Sequence, residues 1–371
     1  MNKNVHKYNI LIAPLDWGLG HTTRCLLLIK CLLPLGYTVF FAGNKTQQSI
    51  VQAQFKNNVN FLDLNGYSVK YSINRWYLPI KIAIQIPKII SRIIYEHYWL
   101  KKQIKQHHID LVISDNRYGL FSKSIPVVFI THQLQILAPF NWMVFLIQKI
   151  NYWLIQKFNL LLIPDVQESL NAAGCLSQPT KMPAIKAVYI GLLNRFMSEQ
   201  ENSILSSTTP NNICILISGP EPQRTILEEI FFEQTNELNH VKITVLRGLP
   251  NTIDNKTSSN LTVKYYNDLP QKELYNVLQN SDIIIARSGY TTLMEVLHLN
   301  KKLILIPTPG QTEQEYLANY LASQNIAIVA SQNNLNVQEL LQQANSFSPQ
   351  KHTFKLFNET LFLNEIKNLL H

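Results

Sequence analysis

A histidine set behind two glycines is the first feature of this chain able to do chemistry. The run YNILIAP breaks into LDWGLGHTTR, so Gly18, Gly20 and His21 follow directly on a strand-like apolar stretch. Glycines there permit a tight turn and a close approach of ligand to backbone. His21 is expected to open the next helix, where unpaired amides and the helix dipole favour negative charge. Three roles fit it: orienting an acceptor, donating to a phosphate, or shuttling a proton. The plainer alternative is a structural histidine. The spacing falls short of GxGxxG, so a nicotinamide cofactor is not indicated.

Other reactive side chains sit at comparable strand ends. Asp115 and Asn116 follow DLVIS, where a carboxylate can act as a general base or cap a helix. Arg117 beside them reads as a charge partner or a surface group. His132 and Gln133 follow VVFIT, with His132 either touching substrate or held as a structural histidine. In the second half, ISGPEPQRTILEEI offers Gly219 for a sharp turn and Arg224 for a diphosphate, or else a capped helix with a solvated arginine. Arg247 and Gly248, in TVLRGLP, occupy the following strand end. The sharpest local pattern is ARSGYTTLMEVLHL. Ser288, Gly289, Tyr290 and Thr291 form a small turn that gives access to helix amides, and Glu295 lies one helical turn past Thr291, where a carboxylate can accept from two vicinal hydroxyls. Beyond another strand, IPTPGQTEQEYLAN supplies Thr308, Gln311, Gln314 and Glu315 as polar groups for a sugar or diphosphate.

The elements that must position these groups are near-continuous apolar strands separated by helical patterns. YNILIA, TVFFA, NVNFLDL, DLVIS, VVFIT, NLLLI and AVYIG occupy the first half. NICILIS, VKITVL, LTVKYY, DIIIA, KKLILIP and IAIVA occupy the second. Such runs indicate parallel sheets covered on both faces. At 371 residues the chain exceeds one ordinary core. The expectation is α/β, two Rossmann-like doubly wound domains facing across a cleft. Residues 1–194 form the first, 195–212 a polar linker and 213–371 the second, with the last amphipathic stretch packing back toward the first domain.

Composition narrows the class further. Hydrophobic residues make up 46% and charged residues 15%, which suits a folded globular enzyme. Cys25, Cys31, Cys175 and Cys214 show no metal spacing and read as buried thiols in a reducing compartment. No apolar run approaches a membrane span of about 20 residues, and the N-terminus lacks a signal-peptide core. A cytoplasmic location is therefore expected. The net charge of +9 splits into +13 over residues 1–200 and −4 over the remainder. Much of the excess lies in 70–108, where Trp76, Tyr77, Tyr95, Tyr98 and Trp99 stand among isoleucines and a single acid, Glu96. Either a basic helix covering a sheet or a peripheral contact with the inner face of an anionic membrane accounts for it. Pro79 and Pro87 argue against one unbroken helix before residue 88. Nucleic acid is disfavoured, since bulky apolar residues interrupt the basic ones and no binding motif accompanies them.

The stretch ARSGYTTLMEVLHLNKKLILIPTPGQTEQEYLAN resembles the second domain of GT-B glycosyltransferases, above all the MurG-type proteins of glycosyltransferase family 28. The resemblance implies that Ser288, Gly289 and Thr291 meet nucleotide phosphates, that Glu295 binds the ribose, and that Gln314 lies near the sugar. The family's glycine loop ending in Gly-His matches Gly20-His21, although its GGxGGH form is here LDWGLGH. The loop opening the second domain is likewise changed, to ISGPEPQR. Transfer from a nucleotide sugar, usually UDP-linked, to an acceptor hydroxyl follows from the resemblance, with inversion and without a metal or other cofactor. His21 or Asp115 would take the acceptor's proton, with Gly18, Gly20, Asn116 and His132 around that acceptor. Gly219, Arg224, Arg247, Arg287, Thr308 and Gln311 would complete the donor site. A lipid-linked acceptor suits the basic, aromatic first half. The alternatives on such a scaffold are a nucleotide-sugar epimerase and a non-catalytic nucleotide-sugar binding protein.

Overall fold

The computed structural model describes residues 7–67, 78–137, 141–197, 212–238, 241–250, 252–253 and 256–371, without the side chains of 78–84 and 141–142. Trp76, Tyr77 and most of the expected linker lie outside the described residues, as does the side chain of Lys81. The chain divides into two compact units. Residues 1–70, 79–195 and 355–371 make up unit 1, and residues 71–78 and 196–354 make up unit 2.

Unit 1 is built on a seven-stranded sheet whose every pairing is parallel. Its strands are β1 (Asn9–Pro14), β2 (Thr38–Gly43), β3 (Val59–Asp63), β4 (Leu111–Asp115), β5 (Val127–Ile130), β6 (Leu160–Ile163) and β7 (Ala187–Tyr189), in the order β3-β2-β1-β4-β5-β6-β7. The apolar runs seen in the sequence become strands buried on both faces. Ile10, Leu11, Val112, Ile113, Val128 and Phe129 are wholly enclosed. Each such side chain contributes roughly 1.5–3 kcal/mol by leaving water. The helices α1 (Gly20–Leu32), α2 (Lys45–Phe55), α3 (Leu78–His107) and α4 (Asn141–Ile155) flank the strands in sequence.

Pro79 and Pro87, expected to interrupt any helix before residue 88, both fall inside the 30-residue α3. Pro79 lies in the first turn, where its missing N–H would have lacked an intrahelical partner anyway. Pro87 removes one interior bond, a loss that a long amphipathic helix offsets by packing. Arg117 is not a surface group either. It is fully buried and pairs with Glu96 of α3 at 2.6 Å, while its Nε donates to Pro14 O at 2.7 Å. The Tyr67 hydroxyl donates to the second Glu96 oxygen at 2.7 Å. The one acid in the basic segment thus pins α3 to the loops at the top of the sheet. Of the four cysteines, Cys25, Cys31 and Cys214 are buried, whereas Cys175 is exposed because it lies in a short turn beyond the core.

The C-terminal helix α10 (Glu359–Leu370) belongs to unit 1. Phe362 and Ile366 are buried, the Lys186 ammonium meets Glu365 at 2.5 Å, and Leu192 bridges to Leu356. Gly191 makes that bridge possible. Its φ is +78°, and a Cβ there would lie 2.2 Å from Leu356 O.

Unit 2 repeats the plan with six parallel strands in the order β10-β9-β8-β11-β12-β13. They are β8 (Asn212–Leu216), β9 (Lys242–Leu246), β10 (Val263–Tyr266), β11 (Ile283–Ala286), β12 (Lys302–Leu305) and β13 (Ala327–Val329). The helices are α5 (Gln223–Thr235), α6 (Gln271–Gln279), α7 (Tyr290–Val296), α8 (Thr312–Ser323) and α9 (Val337–Ser346). Leu227 and Phe231 from α5 pack with Val337, Leu340 and Leu341 from α9 on Ile213, Ile215 and Val245.

His298, in the turn after α7, is pushed down to about 4 by burial. An unfolded histidine titrates near 6.5. Between these values the unfolded chain takes up a proton that the folded chain refuses, so stability falls as pH drops from about 6.5 to about 4. Replacing His298 by Gln is expected to remove about 2 kcal/mol of that loss, read from urea unfolding at pH 7 and pH 4.5.

Candidate functional site

In unit 1 the strand order reverses at β1. The chain runs outward through β2 and β3, then returns to lay β4 on the other side of β1, pairing Pro14 with Asp115. Loops leaving two such strands diverge to opposite faces, and ligands of open α/β sheets bind at that divergence. The loop after β1 turns through Gly18, at φ +92°, and Gly20 opens α1 with no side-chain cap at Leu19. His21 is the second residue of this helix, and its Nδ1 lies 3.1 Å from Asp115 Oδ1.

One turn along the same helix stands Arg24, which the sequence reading did not single out. Its Nε donates to Asp115 Oδ2 at 2.6 Å, its Nη2 donates to Oδ1, and that same Nη2 lies 2.8 Å from His21 Nδ1. The Cys25 thiol adds a long contact of 3.8 Å to Asp115 Oδ2. Asp115 has no exposed surface, and 15% of the His21 side chain is exposed. Burial alone would raise the Asp115 pKa, but Arg24 and then His21 outweigh it and hold the carboxyl well below its usual range. Burial, reinforced by Arg24, pushes His21 down against the pull of Asp115. A neutral imidazole backed by an ionised carboxylate is the result. The helix-capping alternative for Asp115 is not realised, since its oxygens are taken by Arg24, His21 and Cys25. Asn116 adopts a left-handed φ of 58° and donates its N–H to Ile130 O at 3.1 Å. Asn116 and His132 are both buried beside these strand ends.

Unit 2 reverses in the same way between β8 and β11. After β11 comes Arg287, fully buried, with Nη1 donating to Ile306 O and Pro307 O at 3.2 Å each. Its Nη2 donates to Gln223 O at 2.9 Å and to the Gln332 side-chain oxygen. All these acceptors are neutral. Arg287 Nε and the buried Thr308 Oγ1 have no hydrogen-bond partner among the described residues. Both flank Gly219, whose φ is +113°. A Cβ there would lie 3.5 Å from Thr308 Oγ1 and 4.0 Å from Arg287 Nε. Burial without a carboxylate pushes the guanidinium down to about 10.

The remaining expected donor residues divide into two groups. Ser288 donates its hydroxyl to Gln314 O at 2.7 Å, Gln314 Oε1 accepts from Thr308 N at 2.9 Å, and Gln314 Nε2 donates to Gln311 at 2.6 Å. These side chains fix the loop after β12 against the Ser288-Gly289 turn, so Ser288 serves the backbone of the site. Thr291 is half-buried and Glu295 nearly buried on α7. Arg224 and Arg247 instead share Glu228: Arg224 Nη1 donates at 2.9 Å, and Arg247 Nε donates to the other oxygen. Arg224 also meets Glu221 at 2.6 Å, and Arg247 meets Asn267. Glu228 escaped the sequence reading, although its i,i+4 spacing from Arg224 was visible. Among the described residues no cluster of His, Cys, Asp and Glu could hold a metal ion.

Two Rossmann-like units, each with a polar site at its strand-order reversal, make the GT-B architecture. Residues 223–367 match the glycosyltransferase family 28 C-terminal domain. A Staphylococcus aureus UDP-N-acetylglucosamine--N-acetylmuramyl-(pentapeptide) pyrophosphoryl-undecaprenol N-acetylglucosamine transferase is 23% identical over 90% of this chain and 88% of its own. Among solved structures, the kitacinnamycin glycotransferase superposes with a TM-score of 0.64 at 12% identity, covering 98% of this chain and 95% of that one. MurG of Acinetobacter baumannii gives 0.53 at 17% identity, covering 92% and 90%. The chain is homologous to the MurG-type, family 28 glycosyltransferases.

Glu228 is buried between two guanidiniums, so removing its charge leaves Arg247 without that carboxylate and Arg224 with Glu221 alone. Glu228→Gln is expected to lower the unfolding free energy by about 3–5 kcal/mol in urea titrations, with part of the loss recovered when Arg247→Gln is added.

Proposed function

We propose that this enzyme moves a hexose or N-acetylhexosamine from a UDP-linked donor to an acceptor hydroxyl, with inversion at the anomeric carbon and without a metal ion. The observation that carries the reading is the buried Arg287, whose Nε lies near Gly219 and has no hydrogen-bond partner among the described residues, as is also true of the Thr308 hydroxyl. A buried cation without a carboxylate is costly, and a diphosphate at that point offsets the cost. Gly289, Thr291, Gln311 and Gln314 shape the same side of unit 2, and Glu295 accepts from the ribose hydroxyls. Arg224 and Arg247 are left out of phosphate binding in this reading, because Glu228 already pairs with both and Glu221 with Arg224.

The acceptor belongs to unit 1, beside Gly18, Gly20, Asn116 and His132. As its oxygen attacks the anomeric carbon, the hydroxyl proton passes to Nε2 of His21 and the sugar–phosphate bond breaks. The diphosphate leaves with its new charge, which Arg287 and Thr308 meet. Asp115 does not take the proton, since it is sealed from the surface and saturated by Arg24. It orients the ring and steadies the imidazolium that forms.

A peripheral contact with the inner face of an anionic membrane, and with it a lipid-linked acceptor and a cytoplasmic location, belongs to the same reading. On α3, Ile86, Ile90, Ile94, Tyr95 and Tyr98 are exposed, and Arg92 and Lys101 lie over the Tyr95 and Tyr98 rings. Apolar groups flanked by snorkelling cations suit the headgroup boundary. No helix among the described residues is long and apolar enough to cross a membrane.

Calorimetry with UDP tests the donor site. Glu295→Ala and Arg287→Gln are each expected to weaken binding at least about tenfold, and unchanged affinity in both removes the assignment. A screen of nucleotide sugars with candidate acceptors, read by product mass, should show acceptor-dependent UDP release that survives a chelator. Conversion of the sugar nucleotide without an acceptor would mean epimerisation instead. Flotation with phosphatidylglycerol vesicles tests the contact: Ile94→Asp combined with Tyr98→Ala should lower the bound fraction severalfold, and unchanged flotation removes the membrane from the reading.

A further inference from the structure

Arg24 is the group that the family motif and the glycine loop leave unexplained. It lies three residues past His21 on α1, is 2% exposed, and reaches both oxygens of Asp115. A carboxylate needed only to orient a histidine has no use for a second, stronger partner. An arginine needed only to neutralise a buried acid has no need to lie 2.8 Å from the ring nitrogen. The arrangement does both at once. We propose that Arg24 is a positioning residue for the transfer: its guanidinium clamps Asp115 so that Oδ1 accepts from Nδ1–H of His21. Because a guanidinium cannot accept that proton, the carboxylate alone holds it, leaving Nε2 unprotonated and able to face an acceptor. Nε2 has no hydrogen bond among the described residues, in keeping with that assignment. The inference rests on the reading of His21 as proton acceptor.

The consequence for the ring follows from the charged and titratable groups around it. Arg24 and Cys25 face the cluster from α1, Asp115 from the end of β4, and His132 from beyond β5. Asp115 pulls the imidazole toward its protonated form, which cannot accept the hydroxyl's proton, and burial is the largest influence against that pull. Arg24 adds to burial while leaving the carboxylate in place as an orienting acceptor, and His132 acts in the same direction. During transfer, the proton leaves the acceptor oxygen for Nε2, the new carbon–oxygen bond forms, and the sugar–phosphate bond breaks with its electron pair on the diphosphate. Afterwards the imidazolium lies against Asp115 and Arg24, which together leave it readily deprotonated for the next cycle.

NMR titration of the full-length chain with labelled histidine reads the inference without depending on turnover, with the His21 signal assigned from its loss in His21→Gln. Arg24→Met is expected to raise the His21 midpoint by about one pH unit or more. The acidic limb of kcat/KM should move upward with it. Arg24→Lys keeps the charge but not the two-point fork. It should hold the midpoint near that of the parent while kcat falls at least about tenfold and KM stays. An unmoved midpoint in folded Arg24→Met overturns the proposal. If Arg24→Met does not fold, a lysine variant with parental kcat and parental pH profile overturns it instead. Full activity in His21→Gln would sink the proton-acceptor reading separately, whatever the titration shows.

Discussion

The reversal of strand order in each sheet is the constraint on which the rest of this molecule depends. Parallel strands cannot be joined by tight hairpins, so every connection crosses over a face and every strand's C-terminal end lies on the same side of the sheet. Where the order turns back, between β1 and β4 and between β8 and β11, neighbouring loops part and expose strand ends. The pairing of Pro14 with Asp115 then brings a residue more than ninety positions downstream against the turn leading to His21. Nothing local to either segment holds that contact. It comes from two apolar strands lying in register within a buried sheet.

Around that register the protein spends its buried charge carefully. Arg117, two residues past Asp115, anchors to Pro14 O and to Glu96. Since Glu96 lies on α3, the long basic helix shares one frame with the strand ends that carry His21 and Asp115. Gly119 belongs to the same frame, because its N–H donates to Glu96 and a Cβ there would lie 2.6 Å from that side chain's own Cβ. A helix held only by apolar packing could rotate or slide by small amounts at modest cost. One fastened by a buried ion pair cannot do so without stranding a charge.

Much of this was legible in the sequence, and the parts that were not share a cause. The strand runs were readable because sheets buried on both faces demand continuous apolar stretches. DLVIS and DIIIA became β4 and β11 in those positions. Gly20-His21 and RSGYTT announced themselves because glycine after a strand is a backbone statement that needs no partner. Side-chain partnerships were harder. Arg24 was not singled out, and Arg117 read as a charge partner or a surface group with no partner to name, since both their carboxylates lie on other elements. Arg224 read as a diphosphate partner or a solvated arginine for the same reason: charge is visible in a sequence, but its pairing with Glu228, which it shares with Arg247, is a tertiary fact. The capping box of Asn44 and Gln47 that starts α2 was local and could have been found. Pro87 misled because a breaker weighs heavily in isolation and lightly in a helix held by packing.

The two sites differ in one respect that their shared topology does not require. In unit 1 the charges buried around the site are matched: Asp115 answers Arg24, Glu96 answers Arg117, and burial with Arg24 favours a neutral His21 ring. In unit 2 Arg287 is surrounded by carbonyl and amide oxygens that orient it without cancelling it. A site that moves a proton needs its base uncharged and fixed in direction, which a compensated cluster supplies. A site that receives a leaving anion needs positive potential kept in reserve, which compensation would remove. Had Arg287 been given a carboxylate, the fold would be more stable and the anion would meet a neutral pair. Had Asp115 been left without Arg24, less would oppose its pull of the ring toward the protonated form. The same reversal of strand order thus serves opposite electrostatic ends, and the difference lies in whether each arginine is paid with an acid or with a carbonyl.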